Sequence, residues 1–311
     1  MKQLSLFDTY PSNFEKVPKL CQSSLLIDLF QAYYDARRNK RNSINQMQFE
    51  INYESNLIQL AQEINDRTYQ IAPSICFVIT DPVQREIFAA DFRDRVVHHL
   101  IYNYISPIFE RVFINDAYSC RKGKGTSYGI ERLQHFILSS SENYTKDCYV
   151  LKLDIKGYFM AINKQILFEK IKTTLEKFRY RTKEKAITWN ETFDYEMVIY
   201  LITKVIFNNP INGCIVKGKK SDWNGLPPSK SLFHSPVGCG LPIGNLTSQL
   251  FSNIYLTDFD HYIKCQLKCQ YYGRYVDDFA IVHTDKDYLK NMIRYGFFIK
   301  QIHIGTTSEH F

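Results

Sequence analysis

From Ser24 onward, SLLIDLFQAYYDARRNKRN sets Leu25, Leu26, Leu29, Phe30 and Tyr33 at helical spacing and ends in basic residues, which predicts a helix with a cationic end. A second helix is expected from about Glu54 to Arg67, leading into ICFVIT at 75–80, a β-rich run closed by Asp81-Pro82. In DFRDRVVHHLIYNYISPIF, Val96, Val97, Leu100, Ile101, Tyr104 and Ile105 form an apolar helical stripe, and the charges ahead of it fall on the polar side. His98 and His99 lie on this helix and read as packing or partner-facing residues rather than catalytic ones.

Next, DAYSCRKGKGTSYGIERLQHFI predicts a short strand, a glycine-punctuated basic turn and an amphipathic helix. The strand CYVLKLDI at 148–155 follows, then a turn and a helix from Asn163. Residues 209–240 are rich in Gly, Pro, Ser and Lys and read as a long surface excursion. After it, GLPIGNLTSQLFSNIYLTDFDHYI predicts a Gly turn and a long amphipathic helix, and a last helix is expected over 287–298. Helices followed by strands alternating with helices indicate a mixed α/β or α+β domain with a helical N-terminal extension.

A chain of 311 residues with 45% apolar and 15% aromatic content buries a substantial core, so disorder is not the default. The excess of 39 Lys and Arg over 32 Asp and Glu, a formal +7, favours a polyanionic partner without deciding for one. Eight cysteines show no CxxC pair and no zinc spacing, and Cys265 and Cys269, four apart, read as packing. With no signal peptide evident, reduced thiols in a cytoplasmic protein fit best. No apolar run approaches the ~20 residues that span a bilayer, so no membrane segment is expected.

The chemistry concentrates in YYGRYVDDFAIVH at 271–283. The flanks Arg274 to Val276 and Phe279 to His283 fit a hairpin with Asp277 and Asp278 at its turn. Successive strand residues face opposite sides, so both carboxylates serve one centre only if the backbone turns there. Two ionised carboxylates in contact repel, and either a pKa rises or a cation neutralises them. A second apolar strand, VLKLDIKGYF, also ends in an aspartate, Asp154. Three carboxylates from two strands would make an all-oxygen site suited to Mg²⁺, of the kind that serves in-line phosphoryl transfer. Taken alone, an Asp pair in a turn is ordinary turn chemistry.

From about Arg85 to His283 the sequence resembles reverse transcriptases: YVDD at 275–278 is similar to their palm hairpin motif, and LDIKGYF to their other metal-binding strand. The resemblance implies an α+β fold with right-hand fingers and palm, an antiparallel palm sheet, and RNA-directed DNA polymerase activity with two Mg²⁺ ions. It assigns the metal to Asp154, Ile155, Asp277 and Asp278, and ranks Asp154 and Asp277 above Asp278. Phe159 falls where these enzymes hold an aromatic that excludes a ribose 2′-hydroxyl. The turn AYSCRKGKGTS at 117–127 resembles the segment gripping the incoming triphosphate, through Arg121, Lys122 and Lys124 with Arg121 favoured; it lacks Walker A spacing. REIFAADFRDRVVHH resembles the first fingers motif, where Arg85, Arg93 and Arg95 would meet template or nucleotide phosphates.

The most specific segment is GLPIGNLTSQLFSNIYL, which carries Ile243, Gly244 and Gln249 in a pattern similar to diversity-generating retroelement reverse transcriptases, as does WNGLPPSKSLF at 223–233. Most reverse transcriptases have Gln at the position of Ile243, and losing that amide removes a donor and an acceptor beside the nucleotide. The resemblance implies error-prone copying opposite template adenine by a bacterial or phage-encoded enzyme, with template RNA, primer and cDNA, dNTPs and a small basic accessory protein as partners. A retron or group II intron type enzyme, or a truncated non-catalytic RNA-binding relic, are the alternatives. The expected division is a helical extension over 1–70, fingers over 71–147 and palm over 148–311 with 209–240 as a loop insertion. QIHIGTTSEHF at the end resembles neither a primer-grip strand nor a thumb, so a missing thumb and a C-terminal truncation are expected.

Overall fold

The computed structural model describes residues 24–38, 43–179 and 194–294. Helix α1 (Ser24–Arg37) forms where the leucine spacing predicts, and α2 (Ile44–Ile51) and α3 (Tyr53–Asn65) follow. The strands β1 (Ile75–Ile79) and β2 (Arg85–Ala89) make an antiparallel hairpin, and α4 (Phe92–Phe109) is capped at its start by the Asp91 carboxylate, which accepts from Arg93 N at 3.0 Å. The apolar stripe of α4 is its buried face: Val96, Val97, Leu100, Ile101 and Ile105 have no exposed surface. His98 is buried with them, its Nδ1 2.7 Å from Thr247 Oγ1, and burial pushes its imidazole down to about 3, so it packs as a neutral ring.

After α5 (Thr126–Ser140) come β3 (Tyr149–Leu153), the single turn α6 (Tyr158–Ala161), α7 (Lys164–Arg179) and α8 (Tyr195–Phe207). The short strand expected ahead of the basic turn is reduced to one bridge, Ala117 to Arg274. The excursion at 209–240 contains β4 (Ile215–Val216), which pairs parallel with β1, and three 3-10 turns. The last elements are α9 (Leu246–Tyr255), α10 (Thr257–His261), a π turn, β5 (Tyr271–Tyr275), β6 (Asp278–His283) and α11 (Lys286–Arg294). The rest of the helix expected over 287–298, and the tail ending QIHIGTTSEHF, lie outside the described residues.

Two small sheets result, ordered β2-β1-β4 and β3-β6-β5, the second antiparallel throughout. One apolar core runs from Leu29 of α1 through Leu100 of α4, Ile171 of α7 and Phe251 of α9 to Tyr272 and Phe279 of the second sheet. The N-terminal helices are therefore part of that core rather than an appendage. The described cysteines are all free thiols, Cys269 buried and Cys265 exposed. Among the described residues no helix is long and apolar enough to cross a membrane.

Candidate active site

The last pair of the β5–β6 ladder is Tyr275 with Asp278, which leaves Val276 and Asp277 as a two-residue turn. Val276 sits in the left-handed region at φ +57°, the conformation such a turn demands and a β-branched residue resists. On the other side of β6, Leu153 pairs with Phe279, so Asp154 leaves β3 beside the aspartate turn. Asp154, distant in sequence, is thus brought to the same end of the sheet as the adjacent pair Asp277 and Asp278.

Arg274 holds this turn from beneath. Strand alternation points Tyr272 and Arg274 to the same, buried face, and both are fully enclosed. The guanidinium donates to Asp260 Oδ1 and Oδ2 at 2.8 and 2.7 Å, to Asn253 Oδ1 at 3.2 Å, and to the Val276 carbonyl at 2.6 Å. Asp260 also accepts from Tyr272 OH at 2.5 Å. Burial works against the Arg274 charge, and Asp260 more than offsets it, holding the group above its usual range. The Arg274 backbone is fixed as well: its N donates to Asp116 O at 2.8 Å, and its carbonyl accepts from Tyr118 N at 2.9 Å. Nothing in the resemblance singled out this network. The available signal was an arginine on the inward register of an apolar strand, with an aspartate in the preceding helix.

The aspartates open onto a cavity of about 540 Å³. Asp154, Asp277 and Asp278 line it, together with Ile155 and Phe159 from either side of the Gly157 turn and with Arg85, Ile243, Gly244 and Gln249. Burial, and then the charges of Asp154 and Asp278, push the Asp277 carboxyl up to about 6, against a hydrogen bond from its own backbone N–H and the nearby Arg85. Asp278 is turned toward Lys152, whose Nζ lies 3.3 Å from its Oδ1. The Ile155 carbonyl accepts from Tyr158 N at 3.2 Å, closing the turn after Asp154.

The LPIG turn is stitched to β2. Phe88 N donates to Ile243 O at 2.9 Å, and Ala90 N to the Asn245 side chain at 3.1 Å. Gly244 has φ +120°, and a Cβ there would lie 2.8 Å from Ile87 Cγ2, so only glycine permits this approach. Ile243 and Phe159 both pack against a small cluster of Cys76, Phe88, Met160 and Leu232. Gln249 is exposed, its Oε1 3.3 Å from Cys120 Sγ.

The remaining cations of the sequence reading are elsewhere. Arg121, the favoured triphosphate ligand, bonds Glu110 Oε2 at 2.9 Å and the carbonyls of Ile114 and Ala117 at 2.7 and 2.8 Å, with its guanidinium over Phe113. Lys124 is held by Asn115, and Lys122 is exposed away from the cavity. Arg93 pairs with Glu63 and lies over the Tyr69 ring. Arg95 donates to Ala90 O at 3.0 Å and lines a separate cavity of about 180 Å³ behind the Gly244–Leu246 turn. Of the predicted phosphate ligands, the fold brings only Arg85 to the aspartates.

The donor chemistry fits a hard divalent cation in part. Among the described residues no three His, Cys, Asp or Glu side chains are gathered as a ready metal cage. Asp277, whose charged form is disfavoured by burial and then by the Asp154 charge, makes with Asp154 the pair a cation would relieve. That suits Mg²⁺, which binds through one or two carboxylates and takes its remaining oxygens from water and substrate phosphates.

The family model described as reverse transcriptase (RNA-dependent DNA polymerase) matches residues 84–295. No curated protein matches the chain. Among solved structures, the chain is similar to apo telomerase from Candida Tropicalis truncated from its C-terminal domain, at 14% identity and a TM-score of 0.46, over 75% of this chain and 49% of that one. The chain spans about half the length of that protein. The family match takes in both aspartate strands, the LPIG turn and more than half of the sequence, and the chain belongs to the reverse transcriptase family.

Proposed function

We propose that this chain is an RNA-directed DNA polymerase that copies a template RNA into error-prone cDNA for a diversity-generating retroelement. The observation that carries the reading is the shared cavity, which Asp154, Asp277, Phe159 and Ile243 all line. In this reading residues 71–147 are the fingers, 148–311 the palm, and 1–70 a helical extension. Asp154 and Asp277 would hold two Mg²⁺ ions, with Asp278 and the Ile155 carbonyl as further candidate oxygen donors. The chemistry such ions would supply is charge neutralisation at the triphosphate and a lowered pKa for the attacking hydroxyl.

The chain's own residues orient the substrates. Phe159 closes the space a ribose 2′-hydroxyl would need, which selects deoxynucleotides by steric rejection. Arg85 meets phosphate oxygens. Ile243 offers the nascent pair an apolar, branched surface in place of an amide, so mispairs opposite adenine lose no hydrogen bond there. A small basic accessory protein and the template RNA are the partners this role requires.

The direct test is incorporation of a labelled dNTP on a primed RNA template with Mg²⁺. Wild type is expected to extend the primer, and Asp277→Asn to leave it unextended; equal signals from both would sink the assignment. Ile243→Gln restores one hydrogen-bonding amide, worth about 1 kcal/mol, and is expected to cut misincorporation opposite adenine by about fivefold. Sequencing of cDNA products reads this, and an unchanged adenine error rate would remove Ile243 from the account.

A further inference from the structure

The 209–240 segment is latched to the cavity from two sides. Glu86, buried on β2 next to Arg85, accepts three hydrogen bonds, all from this segment: Trp223 Nε1 at 2.7 Å, Ser231 Oγ at 2.9 Å and Leu232 N at 2.6 Å. Gln84 adds a clamp, its Nε2 donating to Asp222 O and Asn224 O at 2.8 and 3.1 Å. From the other side, the backbone of Ser229 presses on the turn that follows Asp154. Gly157 has φ +64°, and a Cβ there would lie 2.8 Å from Ser229 O. A buried carboxylate with three donors fixes a segment more stiffly than apolar contact, because each donor lost leaves charge unsatisfied.

This latch sets Lys230, one residue before the bonded Ser231, on the cavity wall. Its ammonium has no ion pair or hydrogen bond among the described residues, and the same holds for Arg85 and Lys156 on that wall. Arg121 and Lys124, by contrast, already have partners. Three cations without a hydrogen bond or ion pair among the described residues thus line the same space of about 540 Å³ as the three carboxylates, the size of a small-ligand pocket. A single-stranded template would instead call for an extended basic groove with stacking aromatics.

We infer that Lys230 binds the polyphosphate of the incoming nucleoside triphosphate, and that Glu86 is the positioning residue that carries it there by latching the 219–232 stretch onto β2. The inference rests on the polymerase reading of the cavity and adds to it a ligand that the basic turn at 117–127 does not supply. A lysine acts here as a point charge on phosphate oxygens, with reach set by the latch rather than by its own flexible stem.

The test measures binding without turnover, by titrating the full chain with a non-hydrolysable dNTP analogue and Mg²⁺. Lys230→Ala is expected to weaken analogue binding on the order of tenfold, the loss typical of one charge-assisted contact, and Lys230→Arg to recover most of it. Glu86→Gln is expected to weaken it by a similar factor while also shifting the Trp223 emission, which Lys230→Ala leaves in place. Template RNA affinity should be the same in all variants. Unchanged analogue affinity in Lys230→Ala overturns the inference, as does weakened RNA affinity with analogue affinity intact, or a wild-type chain that binds no triphosphate. A chain that binds the analogue through Lys230 yet extends no primer would count against the polymerase reading alone.

Discussion

Arg274→Ala is expected to lower the stability of this chain by about 3–5 kcal/mol, although Arg274 does not reach the cavity, because it leaves Asp260 as an uncompensated charge in the core. Asp260 has no exposed surface and would keep only the Tyr272 hydroxyl and whatever water enters. The same substitution frees the Val276 carbonyl, whose left-handed backbone is unfavourable by about 1–2 kcal/mol when nothing holds it. Denaturant midpoints give the stability change. The double variant Arg274→Met with Asp260→Leu separates the two roles. Removing both charges is expected to return most of the lost stability, since a buried ion pair is worth little against well-packed apolar groups. Primer extension should stay depressed, because the turn carrying Asp277 has lost its clamp. If extension recovered with stability, Arg274 would be a structural residue only.

Asp277→Asn has the opposite signature: extension falls to background while the metal-free protein becomes more stable at neutral pH. The Asp277 carboxyl is raised from an ordinary carboxylate to about 6, so the folded state binds the proton more tightly than the unfolded state does. The stability this contributes is complete below pH ~4 and lost as pH rises through about 6. At pH 8 the ionised, half-buried group therefore destabilises the fold, by about 1–2 kcal/mol once solvent screening is allowed for. Asparagine removes that penalty and should raise the metal-free Tm at pH 8 by roughly 2–6 °C, with no gain at pH 4. Adding Mg²⁺ at pH 8 should stabilise wild type and leave the variant unmoved. A metal-free Tm difference between variant and wild type that is independent of pH would mean that Asp277 is not the strained group.

Much of this arrangement is legible in the chain before it folds. The stripes of α1, α3 and α4 follow from leucine and valine spacing, and Asp154 and Asp277 stand out as charges where apolar strands end. Gly244 is visible as a turn residue in LPIG, though the reason for it, contact with Ile87, is not. The 209–240 segment misleads because its Gly, Pro, Ser and Lys content is that of a solvated loop, while Glu86, its anchor, lies 137 to 146 positions away. Glu86 and Phe88 share the inward register of β2, the one local hint that a carboxylate is buried there. Arg121 misleads in the other direction: glycines and lysines around it suggest phosphate, and its guanidinium is instead taken by Glu110 and two nearby carbonyls.

The sequence by itself carried the family through its motifs, and it marked the carboxylates at the ends of apolar strands and the apolar residue at the LPIG turn, because side-chain chemistry and strand or helix periodicity are local properties. Only the tertiary structure decided which charges are available. Whether an arginine or lysine meets a ligand depends on which acceptor the fold has already brought within hydrogen-bond reach. That acceptor is close in sequence for Arg121, in the preceding helix for Arg274, and absent among the described residues for Lys230.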